Sequence, residues 1–355
     1  MIIKDLLNEA VDRKASDLHL LPDISPTLRI DGLLTIISNY PILTIEEIEQ
    51  MIFSLINPEQ KEFLLTNKEI DFSIDFTGDG NESRGRFRVN AYYQRGKLSA
   101  VLRLINSTIQ TVEELNLPKI ISSFATLRQG LVLICGPTGH GKSTTLAAII
   151  NEINKTRSAH IVTIEDPIEY AYPLGKSIFS QREMGIDTHS WSVALRSALR
   201  EDPDIIVIGE MRDSNTMESA MTLAETGHLV FSTIHTNSAA QSIDRIVDSF
   251  SGSQQNQIRA QLASVIMGIV SQRLVPKIIG GRIPAVEILI GTSAIATNIK
   301  EGNTNLIDSI IQTSSKDGMI SLEASLAKLV YNGEISFDIA KNYSLNKDEL
   351  SRLLS

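Results

Sequence analysis

The chain has 355 residues, one cysteine and a formal net charge of −9, which leaves room for two domains with separate cores and excludes a disulfide framework or a multi-thiolate zinc site. No apolar run approaches the roughly 18 residues of a membrane span, and Met1-Ile2-Ile3-Lys4-Asp5 lacks the basic stretch and apolar core of a signal peptide, so a cytoplasmic protein is expected. The acidic balance argues against a surface given over to nucleic acid, although an acidic protein can still carry a basic channel.

Ile3, Leu6, Leu7, Ala10 and Val11 recur at helical spacing and predict a short first helix. Ser16 to Leu20 alternates like a strand, and Thr27 to Ile30 leads through the hairpin turn Asp31-Gly32 into Leu33 to Ile37. Thr44 can cap a following helix with Glu47 in the third position. Asp71 to Phe76 and Arg86 to Tyr93 read as strands separated by the polar tip Gly78 to Ser83, and Val101 to Leu104 as another. The first hundred or so residues thus predict a small α+β domain with an antiparallel sheet, spanning 1–106.

Arg84, Arg86, Arg88, Arg95 and Arg103 punctuate the end of this domain, with Arg86 and Arg88 on one strand face. Spacing alone fits a solvated basic sheet face. The alternative needs an adjacent nucleotide, whose γ-phosphate oxygens arginines of another subunit would neutralise.

Ser107 to Pro118 is polar at first and ends in proline, and reads as a linker. Beyond it apolar strands alternate with helical patterns, as a parallel sheet covered by helices requires. The strands expected are Leu131 to Cys135, His160 to Ile164, Ile205 to Ile208 and Leu229 to Thr233, with helices over Ser192 to Arg200 and Thr216 to Glu225. The core of this second domain is placed at 119–291 and a mostly helical part at 292–355.

The strongest motif follows the first of these strands: Gly136, Pro137, Thr138, Gly139, His140, Gly141, Lys142, Ser143 and Thr144, the full phosphate-loop pattern between a strand and a helix. Glycines let backbone N–H groups turn inward on a triphosphate, and the helix N-terminus adds its positive end. Lys142 is expected on the β and γ phosphates of ATP and Ser143 on Mg²⁺. Ile205 to Ile208 then ends in Gly209-Glu210, where many phosphate-loop proteins place a Mg²⁺-binding aspartate at the glycine position. Glu210 is left to aid water or Mg²⁺. Thr163 to Glu169 puts three carboxylates after another strand, readable equally as a charged turn around Asp166-Pro167. His228 and His235 flank one strand, a placement that suits a γ-phosphate or interface sensor better than zinc, which has no cysteine support here.

Together, Ala15 to Leu20, the phosphate loop, Thr163 to Glu169, Ala198 to Asp204, Gly209 to Asp213 and Ala224 to His228 resemble the type II/IV secretion ATPases over nearly the whole chain, and within them the pilus-retraction branch. The resemblance implies an α/β protein made of a PAS-like N-terminal domain and a RecA-like ATPase domain, working with ATP and Mg²⁺ as a homohexamer. It implies a motor for pilus retraction and twitching motility, peripheral at the cytoplasmic face of the inner membrane on a pilus platform protein, with no stable binding to nucleic acid. It makes Thr163 to Glu169 the family's aspartate box, with Glu169 the foremost catalytic candidate beside Glu210, makes His228 and His235 the histidine box, and makes Arg88 and Arg103 the arginine fingers. An accessory, secretion or DNA-uptake ATPase, or a RecA-like translocase, are the alternatives. The retraction branch's C-terminal signature Ala-Ile-Arg-Asn-Leu-Ile-Arg-Glu stands here as Ala294-Ile295-Ala296-Thr297-Asn298-Ile299-Lys300-Glu301, with alanine and lysine in place of the arginines.

Overall fold

The structure, a computed structural model, describes residues 3–30, 32–77, 83–105 and 108–355. Asp31 of the expected hairpin turn, Gly78 to Glu82 of the polar tip and Ser107 of the expected linker lie outside them. Two compact units emerge, Met1–Thr108 with Pro167–Ala171, and Ile109–Asp166 with Tyr172–Ser355.

In the first unit, α1 (Ile3–Asp12), β1 (Asp17–Leu20), β2 (Thr27–Ile30), β3 (Leu33–Ile36), α2 (Ile45–Phe53), α3 (Pro58–Asn67), β4 (Glu69–Thr77), β5 (Ser83–Gln94) and β6 (Lys97–Ile105) follow in order. The strands form one antiparallel sheet in the order β3-β2-β1-β6-β5-β4. Leu6 and Leu7 of α1 and Ile48 and Ile52 of α2 bury against Leu18, Phe87, Val89 and Leu102 of the strands. The expected capping box holds the start of α2: Thr44 accepts from the Glu47 N–H, and Glu47 accepts from the Thr44 N–H. A second box, Asn57 with Gln60, starts α3 behind Pro58. That helix was not expected, because Leu64 is its one buried residue and leaves no apolar stripe to read.

In the second unit come β7 (Gly130–Cys135), α4 (Lys142–Thr156), β8 (His160–Glu165), β9 (Ile178–Glu183), α5 (Trp191–Ala198), β10 (Ile205–Ile208), α6 (Ser214–Glu225), β11 (Leu229–Ile234), α7 (Ala239–Asp248) and α8 (Gln255–Val265). They continue with β12 (Ile266–Pro276), β13 (Arg282–Ile290), α9 (Ser293–Glu301), α10 (Ile307–Thr313), α11 (Leu322–Tyr331), α12 (Phe337–Tyr343) and α13 (Lys347–Leu354). The sheet order is β13-β12-β7-β11-β10-β8-β9, with β13 alone antiparallel to its neighbour. Side chains of β7 go alternately to two cores: Leu131, Leu133 and Cys135 into one, Val132 and Ile134 into the other. This explains its unbroken apolar run. Burial raises the Cys135 thiol above its ordinary range, as befits a packed strand residue.

The stretch expected as a linker is packed: Val112 and Leu117 are buried in the second of these cores, beside Ile134 and Ile149. The expected strands are present. Three more strands, β9, β12 and β13, have weaker signals: β9 and β13 are the edges of the sheet, and α8 runs into β12 without a glycine or proline between them.

Candidate active site

The phosphate loop leaves β7, the third strand of seven, so that its neighbours β12 and β11 frame it from both sides. Gly136 has φ of 142°, a conformation open to glycine, and a Cβ there would collide with the Gln272 carbonyl oxygen of β12. Gly141, the N-cap of α4, is left-handed, and Lys142 and Ser143 open the helix behind it. Lys142 is 8% exposed. Its Nζ donates to the carbonyl oxygens of Gly136 at 2.9 Å and Pro137 at 3.1 Å, which holds the ammonium under the loop.

The Lys142 amine also lies 3.4 Å from Nδ1 of His235, just beyond the end of β11. An ammonium can only donate, so this nitrogen is the acceptor and Nε2 carries the ring proton. Nε2 in turn lies 3.1 Å from Glu210 Oε1, and Arg212 Nε donates to Glu210 Oε2 at 2.9 Å. Lys142, His235, Glu210 and Arg212 therefore form one chain of contacts across the carboxyl ends of β7, β11 and β10, where an open parallel sheet presents its ligand site. Thr138 Oγ1 adds a contact to His235 at 3.4 Å.

Gly209 has a steric reason. Its N–H donates to Ile164 O at 2.8 Å, and a Cβ would sit 3.2 Å from the Glu165 Cα and 3.3 Å from that oxygen. The end of β8 crowds the position where an aspartate Cβ would sit. That close approach also places Glu165 beside Gly209; its Oε1 accepts from Thr163 Oγ1 at 2.7 Å.

The structure gathers some of the expected residues and separates others. Ser143 is half-buried in the first turn of α4 and Glu210 half-buried at its strand end. Both are oxygen donors, which suits Mg²⁺, an ion that keeps several waters and takes one or two protein oxygens plus phosphate. Among the described residues there is no group of three or more His, Cys, Asp or Glu that could hold a metal ion. Glu169 is exposed and falls in Pro167–Ala171, the segment that groups with the N-terminal unit. His228 lies at the start of β11, beside Gly130 at the start of β7, and so at the opposite end of the sheet from the phosphate loop of its own chain. Its Nδ1 contacts Leu223 O at 3.0 Å and Thr226 Oγ1 at 3.1 Å. Arg88 and Arg103 belong to the N-terminal unit and pair with aspartates there.

Four site residues had gone unassigned: Arg212, Gln272, His140 as a ring rather than a loop position, and Arg282, whose Nη1 donates to Gly139 O at 3.3 Å. Gln272 and Arg282 come from more than a hundred residues downstream, and no spacing rule connects them to the loop. Leu274 N–H donates to His140 Nδ1 at 2.9 Å. Burial and the charges of Arg273, Arg282 and Lys142 press the His140 ring below its ordinary pKa.

The family described as Type II/IV secretion system protein matches residues 1–325. The chain is 44% identical over 341 residues to a Pseudomonas aeruginosa protein named Type IV pilus retractation ATPase PilT, covering 96% of this chain and 97% of that one. It is 43% identical over 328 residues to a Twitching motility protein of Neisseria gonorrhoeae, covering 92% and 86%. A crystal structure of the pilus retraction motor PilT with bound ADP matches with a TM-score of 0.91 at 43% identity, covering 99% of each chain. The chain therefore belongs to the type II/IV secretion system proteins and is an ATPase of that family.

Proposed function

We propose that this chain is a Mg²⁺-ATP-hydrolysing motor that acts as a ring of six copies and drives type IV pilus retraction, and with it twitching motility. It works at the cytoplasmic face of the inner membrane against a platform protein of the pilus; no helix among the described residues is long and apolar enough to cross a membrane. The single observation that carries the reading is the contact chain Lys142–His235–Glu210 at the head of the parallel sheet, in a chain whose relatives are named for retraction and twitching.

In this reading the loop amides and Lys142 hold the phosphates, and Ser143 with Glu210 would hold Mg²⁺, which when bound would supply charge neutralisation at the phosphate oxygens. Glu210 orients water and takes its proton. His235, bonded to both Glu210 and Lys142, relates the state of the γ-phosphate site to the carboxylate. Arg88 and Arg103 of a neighbouring copy leave their own aspartates and complete the charge balance; Glu169 and His228 act where subunits or domains meet. A site closed by a neighbour couples hydrolysis to domain rotation around the ring.

The test is deletion of the gene in its host, followed by restoration with wild type or Glu210→Ala. Loss of twitching with pili accumulating at the surface, rescued by wild type alone, is the expected result; undisturbed retraction overturns it. A second reading, an accessory ATPase that assists another retraction motor, is favoured by the altered signature on α9, where Ala296 and Lys300 replace arginines. In that case Ala296→Arg with Lys300→Arg gains retraction that the wild type lacks when it is the sole such ATPase present.

A further inference from the structure

Gln272 spans the segment that carries the phosphate-binding residues. It is 2% exposed, on β12. Its Nε2 donates to His140 O at 2.8 Å, and its Oε1 accepts from Thr145 Oγ1 at 2.6 Å. Those two partners bracket Gly141, Lys142, Ser143 and Thr144. Its side-chain nitrogen would meet a Cβ at Gly141 at 2.8 Å, and its backbone oxygen is what bars a Cβ at Gly136. Two residues further along β12, Leu274 N–H closes on the ring of His140. One strand thus holds the loop twice, by the Gln272 side chain and by the Leu274 N–H on the loop's own His140 ring.

We propose that Gln272 and the neutral His140 ring form a proton-sensitive clasp that positions the phosphate loop for nucleotide, Gln272 acting as a positioning residue rather than a catalytic one.

The clasp is directional chemistry. Leu274 N–H needs a lone pair on Nδ1, so the ring is the neutral tautomer with its proton on Nε2. Protonating Nδ1 sets donor against donor and opens this half of the clasp. The groups facing the ring are cationic from each element around it: Arg273 on β12, Arg282 at the start of β13 and Lys142 at the start of α4. Burial first, and then these charges, hold the ring's pKa below the ordinary value and favour the neutral form. Gln272 needs both ends of its amide, because the acceptor must meet a hydroxyl and the donor a carbonyl. Leaving buried partners unmatched costs more than the bond is worth when made.

The proposal rests on the phosphate loop binding nucleotide, and binding of ADP by the wild-type full chain establishes that first and separately. The experiment then measures the Kd for ADP at pH 7.5 and 5.0 for wild type, Gln272→Ala, Gln272→Glu and His140→Asn, with the thermal midpoint of each chain taken without nucleotide. Gln272→Ala is expected to weaken ADP about ten-fold or more. Gln272→Glu keeps the acceptor but has no donor for His140 O until it takes a proton, so its deficit against wild type shrinks at pH 5.0. An asparagine oxygen can accept the Leu274 N–H but cannot titrate. His140→Asn is therefore expected to flatten the weakening of ADP binding that wild type shows on acidification. Should Gln272→Ala unfold, the other two variants still decide. Wild-type Kd values in both Gln272 variants, a pH-independent deficit in Gln272→Glu, or an unchanged pH dependence in His140→Asn overturns the clasp.

Discussion

Arg88 and Arg103 stand directly opposite each other across β5 and β6, and each leans on an aspartate: Arg88 on Asp71, with Nε to Oδ2 at 3.0 Å, and Arg103 on Asp17, with Nε to Oδ1 at 2.9 Å. Like charges facing across a strand pair destabilise it unless each is offset. Asp17 is also the register partner of Arg29, so one row of the sheet reads Arg29, Asp17, Arg103, Arg88. Burial works against ionising Asp17, yet hydrogen bonds from Arg103 and Ser16 hold its carboxyl below the ordinary range.

In the proposed ring each of these side chains would exchange one anionic partner for another. Arginine fingers are worth about 10³–10⁵ in turnover, and two acting together would share the loss of one. Arg88→Ala is expected to lower kcat by about 100-fold while leaving the Kd for ADP within a few-fold. Steady-state hydrolysis by the assembled protein checks this, and an unchanged kcat removes Arg88 from the role.

Glu210→Gln keeps the shape and the contact to Arg212 but cannot take a proton from water. General-base loss costs about 10²–10⁴ in rate, so kcat should fall in that range with nucleotide still bound. His235→Ala should fall less, because it acts through Glu210. If Glu210→Gln turns over like wild type, Glu165, beside Gly209 at the end of β8, becomes the carboxylate to replace next.

Gly209→Asp places a more common metal-binding residue at this strand end. The backbone at Ile164 and Glu165 crowds it and must give by a few tenths of an ångström, and overpacking of this kind costs about 1–3 kcal/mol. Urea unfolding should show the loss, and hydrolysis should drop rather than rise. A variant as stable as wild type would show that β8 can yield.

Glu287 on β13 is 7% exposed and lines a cavity of about 740 Å³ with Asp308, Glu323 and Glu349. Burial, outweighing the hydrogen bond from Ala239 N–H, and repulsion from Asp308 and Glu323 lift its pKa from 4.5 to about 7. The folded chain therefore holds this proton where the unfolded chain has lost it. Its contribution is fully present below pH 4.5 and is lost as pH rises to about 7, a change on the order of 3 kcal/mol. Asp308 and Glu349 are raised too and act in the same direction. Glu287→Gln, which can still accept from Ala239, should be more stable than wild type at pH 8 and no more stable below pH 5. Unfolding curves at both values test the sign.

Much of this was legible because the relevant signals are local. The glycine loop, the apolar strand before it and the Thr44 capping box each fit within a few residues, and the structure realises all three. Glu210 was legible as a carboxylate closing an apolar strand. What sequence could not show is what touches it: Arg212 was in view without a role, and His235 joins Glu210 to Lys142 only because β11 lies between β7 and β10. The histidine pair flanking one strand looked like a pair in sequence. A strand of six residues separates them, so His228 and His235 lie at its opposite ends. Gln272 carried no signal at all, since a glutamine in an apolar strand becomes meaningful only when a loop from another part of the chain arrives beside it.

The β12–β13 hairpin has two sets of customers. One edge supports the phosphate loop, while Arg273 donates to Tyr343 O at 2.9 Å, Lys277 pairs with Glu334 at 2.9 Å and Val286 N–H donates to Ser325 at 3.0 Å. Val275, Ile283 and Ala285 are buried among Leu322, Leu326, Ile335 and Leu350. A gene cut after residue 291, where sequence alone suggests the catalytic core ends, would strip these partners from the strand that shapes the nucleotide loop. The tail is therefore not an appendage to be trimmed for expression or swapped between homologues. It buttresses the strand that shapes the nucleotide loop, and a chimaera of this chain joined before β12 keeps those contacts together.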